Sequence, residues 1–592
     1  MQTARSSRHR FSAAESPSPA RRGAKATIAL GVCVLGAGCF VGDQALSPPS
    51  NAFYYPTALV RSPGGSTLYV ANSDFDLQYD GGTVLALDLV KMRVKLNPLL
   101  LALRNVTHGT SVAAACLAGG VLPNTDKILH PGPCLAIPLN DAVGGRPPSA
   151  TIGAFASGAV FVQRKDNETQ ARLFLSVRGD PSITFFDVND DDPDNDPKTP
   201  GAFSDLLDCT GAAPHLPGER CTNTHRVGVE PFESTRAIIL PTEPVGIAAS
   251  EDGTAIVVAH QTAKSVSLTI DDPAQSTPTA DGVIRGKPTL EFVLGGLPDG
   301  PTDVVTVPIP RLFKDRAEAH PPGIDYQRGF LVTYRAAPVV DLIRVHEYES
   351  GTARPFLTRS NQTGIGVNAD GKDSRGIAID GRARSTCETA CVSACLRTCR
   401  NDTTCQDACT TDPPVSCERD CVKIPIDIFI ANRTPPSLLV GRVETTLIPE
   451  DSAAPVAAFD RVFITDSIPL SFGASRVVIG DVIAPDGNPS RRVFAGAFDS
   501  RLVFSYDPQA RRIDAVIKTG RGPQALAVDH DDNPSLFDDK TNVIETGHAS
   551  LIIGHFTDSY LGIVDLDMRH PETFGTMFAS VGTPTPPKAS KR

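Results

Sequence analysis

The sequence predicts an all-β protein: a seven-bladed β-propeller with loop insertions, one of which is a small disulfide-stapled helical module. Three observations predict this fold. A scheme of short strands joined by tight turns recurs seven times after residue 52. Glycine and proline number 49 and 50 among 592 residues, which is typical of many turns and few long helices. Cysteines gather in one segment that interrupts the fifth copy of the scheme.

Three copies of the strand scheme are clear. They span Pro56–Leu89, Glu243–Asp271 and Gly522–Asp567, and in the first a Pro-Gly-Gly turn precedes a strand that ends at Asn72. These copies resemble the YVTN repeats of bacterial seven-bladed β-propellers, and the resemblance covers most of the chain after residue 52. The resemblance implies that each copy forms one blade of antiparallel strands.

Four further copies are recognised by the alternation of apolar and polar residues. They span Ala159–Val188, Asp303–Val345, Gly376–Glu444 and Ser475–Asp507. Stacking twisted sheets around an axis buries both faces of each sheet, which favours a propeller; a pair of β-sandwiches is the competing architecture. Residues 52–592 give roughly 77 residues per copy, against ~40–45 for a compact blade, so the surplus is expected in loops.

Residues 1–38 predict a bacterial lipoprotein signal peptide. A basic stretch that ends at Lys25 precedes "ATIALGVCVLGAG", whose 13 residues are too few for a transmembrane helix. "LGAGC" resembles a lipobox, although Gly36 stands where that pattern usually has leucine. The resemblance implies that Cys39 becomes the mature N-terminus and carries fatty acyl chains such as palmitate. The alternative is an ordinary secretory signal that is cut nearby.

The lipobox resemblance sets the expected location. Residues 39–51 would be a tether and residues 52–592 the propeller. Phe40, directly after the lipidated cysteine, resembles the sorting pattern of outer-membrane lipoproteins. We therefore expect a cell-envelope protein that its N-terminal lipid attaches to the membrane, most consistently the outer membrane. A net charge of -11 argues against nucleic acid as a partner, since no basic patch is there to displace counterions.

The cysteines predict a disulfide framework, because disulfides persist in exported proteins. Of 14 cysteines, setting aside Cys33 and Cys39 leaves 14 − 2 = 12, an even number. Two local pairs and one dense segment account for all of them. They are Cys116 with Cys134, Cys209 with Cys221, and the eight cysteines of the insertion at residues 381–424: Cys387, Cys391, Cys395, Cys399, Cys405, Cys409, Cys417 and Cys421.

The insertion at residues 381–424 is expected to be a disulfide staple. Its first four cysteines recur every four residues, which on a helix places them on successive turns, and two more four-spaced pairs follow. Neighbouring thiols on one helix are poorly placed to bond to each other, so the first helix should pair with the other two arms. A metal thiolate and a redox centre are the alternatives; the segment contains no histidine and no C-x-x-C.

The seven copies place one residue each at the end of the second strand. These positions are Asn72, Val177, His260, Tyr334, Asn432, Ala497 and His555. In the resembled fold they face the side where propellers usually bind ligands, so a polar ring of Asn72, His260, Asn432 and His555 is a candidate ligand face. The alternative is structural, since asparagine at such a position caps the backbone of the turn.

An acidic loop, "DVNDDDPDNDP", offers oxygen ligands at alternating positions that suit Ca²⁺. The candidate ligands are Asp187, Asn189, Asp190, Asp192, Asp194 and Asp196. The loop lacks the glycine and distal glutamate of an EF-hand, so a solvated acidic loop is the alternative. No other cofactor is expected.

The sequence favours a binding or protein-interaction scaffold over an enzyme. Insertions after Gln163, Ile309, Gly381 and Asp529 all interrupt the same inner hairpin turn and should crowd one face, where envelope proteins or glycans are expected as partners. No G-x-S-x-G or H-E-x-x-H motif is found. The alternative function is a propeller enzyme such as a lactone hydrolase, which would use polar residues near the central channel. The first residues to test would be His260, His555, Arg178 and Arg335.

Overall fold

The structure is a computed structural model of the chain. It describes residues 46–106, 111–127, 130–164, 169–192, 202–211, 216–279, 282–313, 326–346, 354–366, 372–399, 402–411, 415–448, 457–531 and 548–585. Among these residues, no helix has both the length and the apolar character needed to cross a membrane. The predicted signal peptide, Cys39 and most of the tether lie outside the described residues.

Seven antiparallel sheets follow one another along the chain, and the first strand of each sheet packs against the first strands of the sheets before and after it. The inner strands of the first and last sheets also pack together, so the sheets close a ring. The protein is therefore a seven-bladed β-propeller, and each predicted copy of the strand scheme forms one blade. We number the blades 1–7 and name their strands inner, second, third and outer.

The first four blades have the following strands. Blade 1 contains Pro56–Arg61, Thr67–Asn72, Gly82–Asp88 and Ser149–Ile152, with Glu219–Arg220 added parallel at the edge. Blade 2 contains Ala156–Gln163, Gln170–Val177, Ser182–Asn189 and Arg226–Val227. Blade 3 contains Pro244–Ala249, Ala255–His260, Ser265–Ile270 and Thr289–Leu294, with a separate hairpin Ser276–Thr279 and Gly282–Arg285. Blade 4 contains Pro301–Val307, Gly329–Tyr334, Val339–His346 and Phe356–Gly364.

The last three blades and the helices complete the description. Blade 5 contains Lys372–Asp380, Ile426–Thr434, Pro436–Ile448 and Ala457–Pro469. Blade 6 contains Ala474–Ile483, Pro489–Ala497, Leu502–Asp507 and Arg512–Lys518. Blade 7 contains Pro523–Asp531, His548–His555, Tyr560–Asp565 and Met577–Val581. The helices are Leu89–Arg104, Val112–Ala118, Leu139–Ala142, Arg382–Cys399, Thr403–Thr411 and Val415–Val422, and the 3₁₀ turns are Asn223–His225 and Pro231–Glu233.

The two ends of the ring differ in character. In an antiparallel blade, the connection from inner to second strand and that from third to outer strand lie at the same end. Most of the long insertions occupy these two connections, including the helix Leu89–Arg104 and the Cys209–Cys221 disulfide, so we call this end the insert face. The opposite end carries the second-to-third turns and most of the short links between blades, and we call it the turn face. The strands that flank the four predicted insertions place all four at this end, and of these the insertion after Gly381 is largely described.

The insertion of blade 1 also closes the ring. Its residue Ile137 pairs parallel with Val581 of the blade 7 outer strand. The Ile137 N–H donates to the Ser580 oxygen at 2.8 Å, and the Gly582 N–H donates to the Ile137 oxygen at 2.8 Å. Ile137 belongs to one buried apolar cluster with the helix Leu89–Arg104 and the Cys116–Cys134 disulfide. The blade 1 insertion is therefore joined to the outer strand of blade 7 by one parallel β-bridge.

The cysteine-rich insertion forms three helices joined by four disulfides. The bonds are nested: Cys387–Cys421, Cys391–Cys417, Cys395–Cys409 and Cys399–Cys405. Every bond joins the first helix to one of the other two, as expected from the four-residue spacing. All eight cysteines of the insertion are thus bonded in disulfides. Neither the metal-thiolate nor the redox-centre alternative describes this segment.

Buried polar contacts fix this cysteine module to the insert face. Arg384, 2% exposed, donates to the main-chain oxygens of Val422 and Ile424 at 3.1 and 2.9 Å and to Thr445 Oγ1 at 3.0 Å. Thr445 Oγ1 in turn donates to Asp460 at 2.6 Å. A side chain of the module thereby joins the hydrogen-bond network of blade 5.

The mouth of the central channel as candidate functional site

A β-bulge recurs at the start of every inner strand. In blade 1, Pro56 pairs with Asn72 and Ala58 with Ala71, which leaves Thr57 without an opposing residue. A bulge re-aims the side chain of the extra residue. The same irregularity occurs in all seven blades. The side chains that it directs into the channel mouth on the turn face are Thr57, Ser157, Val245, Thr302, Arg375, Ser475 and Gln524, here called the bulge ring.

A second ring of side chains follows the second strands. It consists of Ser73, Arg178, Gln261, Arg433, Phe498 and Phe556, here called the turn ring, and each of these residues lines the same cavity. Each lies one residue after a position that the sequence comparison of the blades had aligned. Successive side chains of a strand point to opposite faces, so the residue after an aligned position points the opposite way from the aligned residue.

The predicted ligand face is corrected by this offset. None of Asn72, His260, Asn432 and His555 lines the cavity, and all four are at most 1% exposed. Asn72 donates to Thr83 Oγ1 at 3.0 Å, and Asn432 donates to the main-chain oxygen of Thr434 at 2.9 Å. Both hydrogen bonds lie within one blade, which fits the alternative interpretation that these asparagines have a structural role.

The two predicted histidines are also internal. His260 Nε2 lies 2.8 Å from Ser267 Oγ, and burial lowers the pKa of His260 to about 4. His555 accepts a hydrogen bond from the Gly520 N–H at 3.0 Å, and burial lowers the pKa of His555 to about 3. Both imidazoles are neutral near pH 7, and neither can reach a molecule in the channel mouth.

The cavity at the mouth has a volume of about 320 Å³ and a cationic wall. Four arginines line it: Arg178, Arg375, Arg433 and Arg476. Each has a carboxylate neighbour: Glu243 at 3.0 Å, Asp373 at 2.6 Å, Asp499 in direct contact and Asp303 at 3.6 Å, respectively. Of these carboxylates only Asp499 lines the cavity itself. A guanidinium has five N–H donors, so one carboxylate partner leaves donors for a ligand.

The remaining wall is aromatic. Phe75, Phe155, Phe498 and Phe556 line the cavity, and consecutive ring centroids along the series Phe155, Phe75, Phe556 and Phe498 are 5.8, 5.2 and 6.1 Å apart. We call this series the aromatic arc. Tyr55 packs behind it, 5.0 Å from Phe556. The arc draws on blades 1, 2, 6 and 7 and their connections, so it covers one side of the mouth.

Arg476 lines the floor of the cavity, and Asp303 lies beneath it. The Arg476 Nη2 donates to the Ser157 main-chain oxygen at 3.2 Å, and its Nη1 lies 3.6 Å from Asp303. Burial raises the pKa of Asp303, whereas the charge of Arg476 and a hydrogen bond from the Ile377 N–H at 3.2 Å act in the opposite direction. Below this pair lies a deeper cavity of about 150 Å³. The pair therefore divides the channel into two chambers.

Hydrogen-bond donors and phenyl rings dominate the described lining of the cavity. It contains arginine, amide, hydroxyl and phenyl groups and one carboxylate, but within the described residues it contains no histidine, cysteine or lysine. Of the residues first proposed for an enzyme, Arg178 lines the cavity and Arg335 does not. Bulge positions such as Arg375 were missed in the sequence; a proline directly before the bulge marks Thr57, Val245, Thr302 and Gln524, but Ser374 precedes Arg375.

The acidic loop lies on the insert face, and its described part is engaged with the protein. Asp187 contacts Arg172 at 2.8 Å, and hydrogen bonds and nearby positive charge hold the pKa of Asp187 at about 2. Asp191, which the calcium pattern omitted, is fully buried and accepts hydrogen bonds from the Gly64 and Ser66 N–H groups at 2.9 Å.

Calcium binding stays a prediction. Asp194 and Asp196 lie outside the described residues. Asp190 accepts a hydrogen bond from Gln163 at 3.0 Å. Among the residues that the structure describes, the carboxylates of Asp187, Asp190 and Asp192 do not converge on one point as a set of three metal ligands.

Comparisons with known proteins add little beyond the fold. No family model and no curated protein matches the chain. Among solved structures, the chain is similar to hydrazine synthase of Kuenenia stuttgartiensis, with 10% identity, a TM-score of 0.38 and coverage of 89% of this chain and 99% of that chain. It is also similar to a periplasmic gluconolactonase of Pseudomonas aeruginosa, with 10% identity, a TM-score of 0.35 and coverage of 79% and 85%. Likenesses this weak carry no argument about activity.

Proposed function

We propose that this protein is a binding protein of the bacterial cell envelope that recognises a small anionic molecule at the mouth of its central channel. The observation that carries the proposal is the convergence of Arg178, Arg375, Arg433 and Arg476 on one cavity. These residues come from blades 2, 5 and 6, so the fold brings them together although they are far apart in the chain.

Arginine suits this role for physical reasons. Its planar guanidinium presents donors in a fork that matches carboxylate or phosphate oxygens, and its charge does not depend on pH in the ordinary range. A volume of about 320 Å³ falls at the lower end of the range of small-molecule sites, roughly 300–1,000 Å³. The ligand is therefore expected to be small, with one anionic group held by two or more arginines.

A lactone hydrolase is the weaker proposal. Hydrolysis of a lactone needs a group that activates water, usually a side chain whose pKa lies near the working pH. His260 and His555 are buried away from the cavity with lowered pKa values, and Asp499 is in contact with Arg433. The described lining thus supports recognition without a chemical step.

Calorimetric titration of the mature protein with a panel of anions tests the proposal. The panel contains phosphate, acetate, succinate, gluconate and trans-cinnamate, with glucose as a neutral control. We expect one or more anions to bind, and we expect Arg433→Gln and Arg375→Gln to weaken binding at least tenfold. Arg335→Gln is the matched control, because Arg335 lies on the same face but outside the cavity and is 52% exposed. Binding of no anion, or equal binding by all variants, would contradict the proposal.

The envelope location is proposed on separate grounds. It rests on the lipobox resemblance at Cys39 and not on the cavity. Metabolic labelling with a palmitate analogue should mark the wild-type protein in the membrane fraction, and Cys39→Ala should lose both the label and the membrane association. Labelling of Cys39→Ala at the wild-type level would show that this lipid site is wrongly assigned.

The insert face supports a second, scaffold role for the same protein. Four disulfides make the cysteine module rigid and buried Arg384 attaches it to Thr445 of blade 5, and a rigid surface loses little conformational freedom on binding. Envelope proteins or glycans are the proposed partners. Crosslinking in intact cells, followed by mass spectrometry, should recover a reproducible partner joined through residues 381–424. Recovery of the protein alone would count against the scaffold role.

A further inference from the structure

We infer that the ligand of the channel mouth is an aromatic carboxylate, whose carboxylate meets the arginines while its ring packs on the aromatic arc. This inference deepens the proposed function and rests on it. The starting point is the distribution of side chains around the cavity, where Arg178 and Arg476 come from blades that also contribute to the arc and the other two arginines do not. Arg375 and Arg433 belong to blade 5, whereas Phe75 belongs to blade 1, and at least two blades separate them in either direction around the ring.

The aromatic side is a continuous surface. Its ring planes are inclined at 90° between Phe75 and Phe155 and at 73° between Phe75 and Phe556. These edge-to-face contacts leave ring faces available to a further aromatic group, which prefers the same geometries. Phe75 itself is 53% exposed, and exposure of so large an apolar side chain at a cavity mouth is typical of a binding site.

A dedicated loop places Phe75 over the cavity. The second-to-third turn of blade 1 runs from residue 73 to residue 81, which is nine residues, whereas the corresponding turn of every other blade has four residues or fewer. Asp74 holds this loop, because its Oδ1 accepts a hydrogen bond from the Tyr79 N–H at 3.2 Å. Tyr79 packs edge-on against Tyr54, with ring centroids 5.2 Å apart. The extra length therefore builds an ordered aromatic support.

The two kinds of side chain in the cavity suit one amphipathic anion. The arginines alone would accept any small anion, and the arc alone would accept any flat apolar molecule. A ligand that has both parts removes apolar surface from water and satisfies the guanidinium donors at the same time. One or two rings with a carboxylate on a short arm match a cavity of about 320 Å³.

Calorimetry with carboxylates of equal charge tests the inference. The probes are acetate, cyclohexanecarboxylate, benzoate and trans-cinnamate. We expect trans-cinnamate to bind at least tenfold more tightly than acetate, and benzoate more tightly than cyclohexanecarboxylate. Phe75→Ala should weaken trans-cinnamate binding about tenfold and so reduce the ratio of trans-cinnamate to acetate affinity. Phe472→Ala is the matched control, because Phe472 is 75% exposed on the turn face but does not line the cavity.

The outcomes separate this inference from the proposed function. If acetate and trans-cinnamate bind equally and Phe75→Ala changes neither, the aromatic inference is overturned and anion recognition stands. If cyclohexanecarboxylate matches benzoate, the site is apolar but not selective for aromatic rings, which also overturns the inference. If no carboxylate or phosphate binds, the proposed function fails as well. Phe556→Leu, which keeps an apolar side chain next to Tyr55, provides a second variant should Phe75→Ala disturb the loop.

Discussion

Arg476 of blade 6 reaches across the central channel to Ser157 of blade 2, where its Nη2 donates to the main-chain oxygen at 3.2 Å. The same guanidinium lies 3.6 Å from the carboxylate of Asp303 in blade 4. One side chain thus connects three blades and closes the floor of the mouth cavity. The contact stabilises the ring from its centre. Among the residues that the structure describes, no other side chain of an inner strand connects blades so far apart around the ring.

Loss of Arg476 should destabilise the protein through Asp303. Arg476→Met removes the cation that offsets burial of the Asp303 carboxylate, and we expect the free energy of unfolding at pH 7 to fall by about 2 kcal/mol. The double variant Arg476→Met with Asp303→Asn should recover most of that loss, since no charge is then left uncompensated. Urea denaturation of the four proteins measures the coupling. Simple additivity of the two substitutions would contradict the proposed pair.

The buried histidines should matter for stability and not for recognition. His555 accepts a hydrogen bond from the Gly520 N–H and stacks on Tyr560 with ring centroids 4.2 Å apart. We expect His555→Ala to lower the free energy of unfolding by about 3 kcal/mol, through a cavity and an unsatisfied N–H. Anion affinity of the folded variant should match the wild type in calorimetry. If the His555→Ala variant is stable but no longer binds anions, His555 takes part in ligand binding.

The loop that carries Phe75 should respond to pH through Asp74. Burial, with the nearby charges of Asp76 and Asp80, raises the pKa of Asp74 to about 6 from 3.8. The folded protein holds this proton more tightly than the unfolded chain, so the associated stability is present below pH 4 and is lost as pH rises through 6. Relative to Asp74→Asn, the wild type should therefore lose on the order of 1 kcal/mol of unfolding free energy between pH 4 and pH 7.

Asparagine is a suitable replacement for this measurement. Asp74 has a φ of 48°, which asparagine tolerates well, and the amide oxygen can still accept from the Tyr79 N–H. Asp272→Asn, an exposed position on the insert face, is the control. Parallel stability curves for the wild type and Asp74→Asn across this pH range would show that Asp74 does not titrate as described.

The Cys116–Cys134 disulfide should stabilise closure of the whole ring. It spans 18 residues of the blade 1 insertion, whose Ile137 pairs with the outer strand of blade 7. Replacing both cysteines by serine should cost about 3 kcal/mol and increase amide exchange at Gly582, which donates to Ile137. The Cys209–Cys221 pair, which spans 12 residues within one insertion, is the comparison. An unchanged amide exchange rate at Gly582 would show that the disulfide does not contribute to ring closure.

The cysteine module should detach locally when Arg384 is removed. Arg384→Ala deletes the hydrogen bonds to Val422, Ile424 and Thr445 and leaves buried acceptors without a donor. Limited proteolysis should then cut within residues 381–424 several times faster, while anion affinity at the opposite face stays unchanged. Arg382→Ala, which removes a more exposed contact to Asp481, is the control. Equal protection of both variants would show that Arg384 does not anchor the module.

The sequence by itself determined the blade count and the staples of this protein. Alternating apolar residues and turn signals such as Asp252-Gly253 are local properties, and each of the seven copies became a blade. The four-residue cysteine spacing is equally local, because a helix places Cys387, Cys391, Cys395 and Cys399 on successive turns and leaves only the other arms as partners.

Only the tertiary structure decided which residues form the site. Asn72 and Ser73 are neighbours in the chain, yet Asn72 is buried within its blade and Ser73 lines the channel. A bulge at Arg375 re-aims a side chain that strict alternation would have misplaced. The placement of Arg375 and Phe75 around one cavity depends on closing seven sheets into a ring, which is a non-local result of packing. The local sequence pattern specifies each blade, and the closure of the ring specifies which side chains line the cavity between the blades.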